Sequence, residues 1–163
     1  MRFAAIDIGS NASRLRIVSI TRPTSKSDPE ERYPGWKTLV AERVPLRLGH
    51  SVFQTGALDA EMIEAAVETL ARFRSLMDAY EVKAYRAVVT ASARDASNGA
   101  ELLSRARNEA GVELEAIDGI EEARIIGLAV NMKLRLKGHS LLMDIGGGSL
   151  ELSEFIDLHP RYS

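Results

Sequence analysis

The sequence predicts an α/β domain. Two observations lead to this prediction. Some stretches alternate polar and apolar residues with the two-residue period of a β-strand, and three longer stretches repeat apolar residues at the spacing of a helix. Along the chain these predicted elements follow the order ββ(β)αβαβαββ. The chain has 163 residues, of which 45% are hydrophobic and 27% are charged, so it can form one domain with a core.

The first two strands are predicted to form a hairpin. Residues 2–8 indicate a buried strand, and residues 14–20, RLRIVSI, alternate polar and apolar side chains. The stretch DIGSN between them is then the turn. Residues 22–35 contain three prolines and many charges, which indicates a loop, and strand character resumes over 36–48. Pro45 predicts an edge strand or a bulge there, because proline cannot donate a ladder hydrogen bond.

Each of the three predicted helices begins after a residue whose side chain can cap its first turn. Glu101 would complete a capping box in the second helix, and Gly111 would end that helix. Between the helices, residues 84–90 and 112–117 indicate strands. The predicted caps and helices are Asp59 before 60–79, Asn98 before 99–110 and Asp118 before 119–136. The apolar face of the first helix consists of Ile63, Val67, Leu70, Phe73 and Met77.

The last segment repeats the plan of the first. AAIDIGSNASRLRIV and LLMDIGGGSLELSEF each contain an apolar strand, Asp-Ile-Gly, a small polar turn and a second strand, in the later copy over 140–145 and 149–155. Glycine at such a turn lets a phosphate approach the backbone, and successive N–H groups can form an anion-binding nest. A single copy would indicate no more than a tight hairpin, but two matched copies favour phosphate binding. The predicted phosphate-binding residues are Gly9, Ser10, Asn11, Gly146, Gly147, Gly148 and Ser149.

An acidic residue precedes each of these turns. Asp7 and Asp144 would repel a phosphate unless a cation lay between. Hard oxygen ligands together with phosphate suit Mg²⁺. The sequence therefore predicts a magnesium ion beside the turns.

The stretch DGIEEARIIG offers a candidate general base. With Asp118 as the N-cap, Glu121 occupies the third helical position and is predicted to cap the Asp118 backbone in return. Glu122 lies about 100° further around the helix, and no cap needs it. It could accept a proton from an attacking water. The alternative is a solvated first-turn acid that the helix dipole favours.

Arg94 follows a predicted buried strand, in a loop rich in small residues. Loops at the carboxyl ends of strands are the usual ligand position in open α/β sheets, and a guanidinium can grip phosphate oxygens through two hydrogen bonds. Pairing with Asp95 is the alternative. Arg14, Arg16 and Arg47 are further basic candidates, of which the first two fit a solvated strand face better.

Composition excludes several classes of protein. The net charge of −2 points to neither a nucleic-acid partner nor an acidic membrane. The absence of cysteine excludes disulfides, thiolate zinc sites and a cysteine nucleophile. No run of about 18 apolar residues occurs, and Asp7 comes too early for a signal peptide, so a cytoplasmic location is expected.

Five segments together resemble the exopolyphosphatase/guanosine pentaphosphate phosphohydrolase family over essentially the whole chain. They are AAIDIGSNASRLRIV, RLG at 47–49, TASARDASN at 90–98, IDGIEEARIIGLAV at 117–130 and DIGGGSLEL at 144–152. The resemblance implies a ribonuclease-H-like domain of the actin, heat-shock chaperone and sugar-kinase superfamily, which has a mixed five-stranded sheet with flanking helices. It also implies hydrolysis of a terminal phosphoanhydride bond, in inorganic polyphosphate or guanosine pentaphosphate, with Mg²⁺.

The resemblance also implies roles for matching positions. The family's glutamate at the position of Glu122 activates the water. Glu151 and Asp144 match acids around the second phosphate loop that hold metal or water, so Glu151 is both a catalytic and a metal-ligand candidate. Arg94 and Asn98 match an arginine loop at the cleft and are expected to bind phosphate.

Two departures and the length of the chain limit these expectations. Leu150 replaces a small hydroxyl residue, and Ala12 replaces a serine that is common in the family. Family members continue into a second domain, so we expect residues 1–163 to be the first domain only, with about 1–136 as its core and 137–163 as the second phosphate loop and the start of the crossover. We expect little activity from this chain alone, exposed apolar surface, and self-association as a homodimer.

Two other functions stay open. An ATP-dependent small-molecule kinase of the same superfamily shares both Asp-containing turns, but it would need an adenosine site. A non-catalytic module that binds phosphate or a nucleotide would suit the Leu150 and Ala12 departures. The segments EEAR and TASARDA favour the phosphohydrolase, and the sequence does not choose between its two substrates.

Overall fold

The computed structural model describes residues 1–21, 35–134, 138–146, 150–156 and 159–161, and it confirms the α/β fold. The first sheet contains β1 (Arg2–Ile8), β2 (Ala12–Ile20), β3 (Trp36–Pro45), β4 (Ala84–Val89) and β5 (Glu115–Ala116). The helices are α1 (Gly49–Thr55), α2 (Ala60–Ala79), α3 (Ala91–Arg94), α4 (Gly99–Asn108) and α5 (Gly119–Leu134). A second sheet contains β6 (His139–Ile145), β7 (Leu150–Ile156) and β8 (His159–Arg161).

The five-stranded sheet is mixed, as predicted. Its strand order is β3-β2-β1-β4-β5, in which β2 is antiparallel to both of its neighbours while β4 is parallel to β1 and β5. The carboxyl ends of β1, β3, β4 and β5 therefore lie along one edge, beside the amino end of β2. We call this the carboxyl edge; it runs from Pro45 through Ile8 and Val89 to Ala116.

The core lies on one face of this sheet, under α2 and α4. All five residues of the predicted apolar face of α2 are buried, at 5% exposure or less. They pack with inward residues of the central strands, including Ile6, Ile8, Leu15 and Val89. The helical spacing of α2 therefore predicted both its bounds and its buried face.

Several strand and helix bounds differ from prediction. Strand β3 is an edge strand, as Pro45 indicated, but it ends at that proline rather than at residue 48. Helices α1 and α3 and strand β8 were not predicted, and β5 has 2 residues instead of the predicted span 112–117. Most of the predicted loop, residues 22–34, lies outside the described residues.

One of the three predicted side-chain caps is confirmed. Asp118 Oδ1 accepts a hydrogen bond from Glu121 N over 2.8 Å. Asp59 and Asn98 occupy N-cap positions but make no side-chain cap, so both predictions were wrong. The Asp59 backbone carbonyl instead accepts from Met62 and Ile63. Helix α4 ends at Asn108, before Gly111 with its left-handed φ of 64°.

The second sheet contacts the rest of the described chain through α5. Gly127 of α5 lies against the buried Phe155 ring of β7, which a Cβ at residue 127 would overlap. The predicted exposed apolar surface is present on the β6–β7 hairpin. We call this surface the hairpin face; it consists of Leu141, Met143, Ile145, Leu150 and Leu152, each at least 56% exposed. The division of the chain near residue 136 stays a prediction.

None of the helices in the described part of the chain combines the length and the hydropathy that crossing a bilayer requires.

Candidate active site at the carboxyl edge

The first predicted phosphate turn is a tight hairpin turn at the carboxyl edge. Gly9 N donates to Ala12 O over 3.1 Å, which closes the turn between β1 and β2. Ser10 is buried and Asn11 is exposed. The backbone of this turn is therefore available to a ligand on its outer side.

Two further loops extend the strand ladder beside this turn. Thr90 N donates to Ile8 O over 3.2 Å, and Ile117 N donates to Val89 O over 3.1 Å. These bonds join the residues after β4 to the end of β1, and the residues after β5 to the end of β4. The segments that lead into α3, which contains Arg94, and into α5, which contains Glu122, therefore begin at the same edge as the Gly9–Asn11 turn.

Arg94 bridges two of these loops. Its guanidinium binds both carboxylate oxygens of Asp95, with Nε–Oδ1 at 2.8 Å and Nη2–Oδ2 at 3.1 Å, and Nη1 donates to Ile117 O over 3.3 Å. Hydrogen bonds to Asp95 are the largest cause that raises the pKa of Arg94, and the charges of Asp95, Glu122 and Asp118 add to it. The pairing with Asp95 that the sequence left open is present, so a phosphate would have to share or displace that contact. Phosphate binding by Arg94 stays a prediction.

Glu121 forms a charge cluster at the start of α5 rather than the predicted reciprocal cap. Its carboxylate binds Arg124 at 2.6 and 2.9 Å and Arg86 at 2.9 Å, and Arg86 also binds Glu115 at 2.9 and 3.0 Å. The reciprocal cap was wrong because Arg86, 35 residues away in sequence, reaches this carboxylate. The cluster fixes the first turn of α5 against β4 and β5.

The same cluster depresses the pKa of Glu121 to about 2, through hydrogen bonds from Arg124 first and from Arg86 second. A carboxyl whose pKa is lower in the folded state stabilises the fold above its unfolded pKa of about 4.3, and this stabilisation is lost as the pH falls. We therefore expect the Glu121 carboxyl to titrate near pH 2 in an NMR titration, with the first turn of α5 loosening over that range.

Arginine variants test this cause of the Glu121 shift. Arg124→Ala should raise the titration midpoint of Glu121 more than Arg86→Ala does, because the hydrogen bonds from Arg124 are the larger cause. Arg16→Ala is the control, since Arg16 is exposed on β2 and outside the cluster. Equal midpoints in all three variants would show that the ion pairs do not set the pKa of Glu121.

Glu122 stands next to this cluster on the same helical turn. Its backbone N–H donates to Asp118 O over 3.0 Å, and its side chain is half-buried. Its charge is among the smaller causes that raise the pKa of Arg94, after the hydrogen bonds from Arg94 to Asp95. A carboxylate beside an anion-binding arginine suits a general base, and this role stays a prediction.

Asn98, predicted to bind phosphate, is bound to a backbone peptide instead. Its Nδ2 donates to Leu58 O over 2.9 Å, and its Oδ1 accepts from Leu58 N over 2.8 Å. Leu58 is buried, at 4% exposure, and Asn98 pairs both the backbone N–H and the backbone carbonyl of this residue. This pair joins the segment before α2 to the start of α4.

We expect Asn98→Ala to lower the free energy of unfolding by about 1–3 kcal/mol, because it leaves a buried donor and a buried acceptor unpaired. Urea unfolding measures this change. Asn108→Ala is the matched control, since Asn108 is exposed and its amide contacts only Ser104. Unchanged stability in Asn98→Ala together with weakened phosphate binding would instead support the ligand role.

The second predicted phosphate turn is described only in part. Asp144 is the next-to-last residue of β6 and Gly146 directly follows the strand, while Gly147, Gly148 and Ser149 lie outside the described residues. The register of the hairpin places Asp144 opposite Glu151, just as Asp7 stands opposite Arg14 in the first hairpin. The two hairpins therefore share the plan that the sequence indicated.

The predicted metal ligands are not gathered in one place among the described residues. The Asp7 carboxylate binds Arg14 at 3.0 Å. Within the described ranges, no group of three or more histidine, aspartate or glutamate side chains is arranged to hold a metal ion. The backbone register pairs Asp144 with Glu151 on neighbouring strands, and metal binding at these positions stays a prediction.

Sequence reasoning missed two features of the edge. Arg47 has a left-handed backbone, with φ of 56°. Gly99 packs so closely on the Ala93 carbonyl that a Cβ would overlap its oxygen. The conformation of Arg47 depends on Asn11, 36 residues earlier in the chain, which spacing within the RLG motif does not reveal. The contact of Gly99 is with Ala93 in the adjoining segment, and the glycine itself was the only signal of it in the sequence.

Comparison with known proteins identifies relatives over the whole chain. The model of the Ppx/GppA phosphatase family matches residues 27–162. Exopolyphosphatase 1 of Mycobacterium tuberculosis is 32% identical over 165 residues, covering 99% of this chain and 44% of that protein. The bifunctional 3-dehydroquinate synthase/phosphatase of Fusobacterium nucleatum is 27% identical, covering 92% of this chain and 22% of that protein.

Solved structures agree with these matches. The Aquifex aeolicus Ppx/GppA family member superposes with a TM-score of 0.84 at 31% identity, covering 99% of this chain and 49% of that one. An exopolyphosphatase from Cytophaga hutchinsonii gives a TM-score of 0.81 at 31% identity, with the same coverage. This chain therefore spans about half the length of these relatives. They confirm the predicted actin-like fold, and the chain belongs to the Ppx/GppA phosphatase family.

Proposed function

We propose that this chain acts in the hydrolysis of phosphoanhydride bonds, releasing the terminal phosphate of inorganic polyphosphate. The observation that carries the proposal is the meeting of the Gly9–Asn11 turn, Arg94 and Glu122 at the carboxyl edge. The name of the mycobacterial relative, exopolyphosphatase, supports polyphosphate as the substrate. Guanosine pentaphosphate is the competing substrate within the same family.

The groups at the edge suit this reaction in distinct roles. Gly9 N–H closes the turn on Ala12 O, so the N–H groups of Ser10 and Asn11 are the ones that bind oxygens of the reacting phosphate. Arg94 stabilises negative charge on that phosphate, exchanging part of its contact with Asp95 for the substrate. Glu122 takes a proton from the attacking water. Catalysis of this kind rests on positioning and electrostatic stabilisation rather than on a covalent intermediate.

Mg²⁺ is the cation that we propose for the reaction. Asp144 and Glu151, at paired positions of the second hairpin, would hold it together with phosphate oxygens, and it would neutralise charge on the transferred phosphoryl group. Asp7 binds Arg14 through Oδ2, so its Oδ1 is the oxygen that would join them. Loss of phosphate release after chelation, with recovery on adding Mg²⁺, would support this part of the proposal.

Phosphate release from polyphosphate under single-turnover conditions, with this chain in excess, tests the function. Exopolyphosphatase 1 of M. tuberculosis serves as the positive control. We expect slow release from this chain, because a site open to bulk water loses much of its electrostatic advantage. Parallel reactions contain guanosine pentaphosphate, or ATP with acetate. Transfer of phosphate from ATP to the acceptor would favour a kinase, whereas tight polyphosphate binding without release would favour a binding module.

The chain contains no cysteine, which suits the reducing cytoplasm that we propose as its location.

We also propose that the chain self-associates through the hairpin face. Its five exposed apolar side chains form a patch of the kind that marks interfaces. Met143→Lys, at the centre of the patch, should shift the chain toward monomer in sedimentation equilibrium. Leu128→Lys on α5, at a position 51% exposed, is the control. A strict monomer across a wide concentration range would contradict the proposal.

A further inference from the structure

Arg47 has a backbone conformation that residues with a Cβ rarely adopt. Its φ is 56°, and among the described non-glycine residues only Glu81, at φ 49°, shares this region. Glu81 follows the last turn of α2, where a left-handed residue is a common way to end a helix. Arg47 instead stands between β3 and α1, where no helix ends. Its strain therefore needs another explanation.

The strained backbone is held by the phosphate turn itself. Leu46 N and Arg47 N donate to Asn11 O over 3.2 and 3.0 Å, and Gly49 N donates to Ser10 O over 2.9 Å. Gly49 is buried so closely that a Cβ would lie 2.8 Å from Ser10 Cβ. Segment 46–49 is thus fixed on the turn, and the conformation of Arg47 is set by that contact.

The guanidinium of Arg47 differs from those of its neighbours. Arg14, Arg86 and Arg94 each bind a carboxylate. Arg47 is exposed, and within the part of the chain that the structure describes its side chain has no hydrogen bond or ion pair. A cation held by a strained backbone beside an anion-binding turn, without a protein partner, is available to an anionic ligand.

The order of the sheet places Arg47 opposite the proposed base. Along the carboxyl edge, Arg47 follows β3 at one end, the Gly9–Asn11 turn lies in the middle, and Arg94 and Glu122 follow β4 and β5 at the other end. A phosphate chain whose reacting group lies near Glu122 would therefore extend past the turn toward Arg47.

We propose that Arg47 binds a non-reacting phosphate group of the substrate, farther along the chain than the phosphate that is released. This inference rests on the proposed function and adds a specificity residue to it. A contact with a non-reacting group is made equally in the ground state and the transition state, so its loss raises KM and leaves kcat unchanged. Arg47 therefore favours the binding of longer phosphate chains and takes no part in cleaving the bond.

Arg47→Gly separates the side chain from the backbone. Glycine accepts a φ of 56° without strain, so this variant should keep or raise the thermal midpoint while it removes the guanidinium. We expect affinity for long-chain polyphosphate, measured by calorimetry, to fall about tenfold, as the loss of one charge-assisted contact implies. Affinity for inorganic phosphate should stay unchanged, because that probe occupies the turn alone.

Three companion variants complete the test. Arg47→Ala should lose the same affinity but melt below Arg47→Gly, and Arg47→Lys should recover part of the affinity. Arg16→Ala removes one positive charge from an exposed position on β2 and should bind polyphosphate as the unaltered chain does. Equal losses of polyphosphate affinity in Arg47→Gly and Arg16→Ala, or an unchanged affinity in Arg47→Gly, would contradict the role of Arg47. Neither result would contradict the proposed function. An unaltered chain that binds neither polyphosphate nor phosphate would overturn the proposed function, and this inference with it.

Discussion

Glu122→Gln is expected to reduce phosphate release from polyphosphate by about 100-fold or more, which is the contribution typical of general base catalysis. Glutamine keeps the size and polarity of the side chain but cannot accept a proton from water at neutral pH. Glu122 is half-buried on the first turn of α5, and its charge contributes to the raised pKa of Arg94. The substitution therefore removes the base while leaving the phosphate-binding turn in place.

Two measurements on the same variant separate chemistry from binding. Single-turnover release gives the loss of rate, and calorimetry with polyphosphate should show affinity changed by less than about threefold, because the reacting water rather than the phosphate meets Glu122. Glu61→Gln is the matched control, since Glu61 is an exposed acid in the first turn of α2 and carries the same charge. Normal release by Glu122→Gln would remove Glu122 from the role of base.

The cap at Asp118 shows what local spacing can predict. Asp118 was predicted to cap the first turn of α5, and that cap is present. The role of Glu122 as the base stays a prediction, since Glu121 binds Arg124 and Arg86 instead of forming the reciprocal cap from which that role was argued. The same kind of local signal predicted the buried face of α2, because helix periodicity and burial depend on near neighbours.

The errors at the edge share one physical cause. Asn98 follows the cap pattern, but its amide binds Leu58, 40 residues away, and its φ of −109° and ψ of 19° are not those of an extended cap. Glu121 follows the capping-box pattern, but Arg86 reaches it from β4. Arg47 takes its left-handed backbone from contacts with Asn11. For Asn98 and Arg47 the partner is distant in sequence, and for Glu121 a distant arginine adds to the neighbouring Arg124. Propensity within a short window contains no information about such distant partners.

Gly99→Ala is expected to destabilise the fold by at least about 2 kcal/mol, because overpacking at a backbone contact forces the main chain to move. Gly99 begins α4 and is buried on α3, and an added Cβ would overlap the Ala93 carbonyl oxygen. A carbonyl cannot rotate away as a flexible side chain can. The turn between the two helices, residues 95–98, would have to shift, and Arg94 would shift with it.

The matched control is another glycine at the first position of a helix. Gly119 begins α5 after Asp118, as Gly99 begins α4 after Asn98, but no atom lies within 4 Å of the position where its Cβ would be. Gly119→Ala should leave stability unchanged or raise it by up to about 1 kcal/mol, because alanine favours the helix and restricts the unfolded chain. The two substitutions add the same methyl group, so the difference between them isolates the contact with Ala93.

Thermal unfolding measures both variants. The loss in Gly99→Ala corresponds to a drop in Tm of about 4–8 °C for a chain of this size. Polyphosphate affinity of the folded variant should fall as well, because the Ala93–Arg94 backbone moves away from the Gly9–Asn11 turn. A Tm equal to that of Gly119→Ala would show that α3 and α4 can separate at no cost, and Arg94 would then lie on a loop that adapts to its ligand rather than on a preformed site.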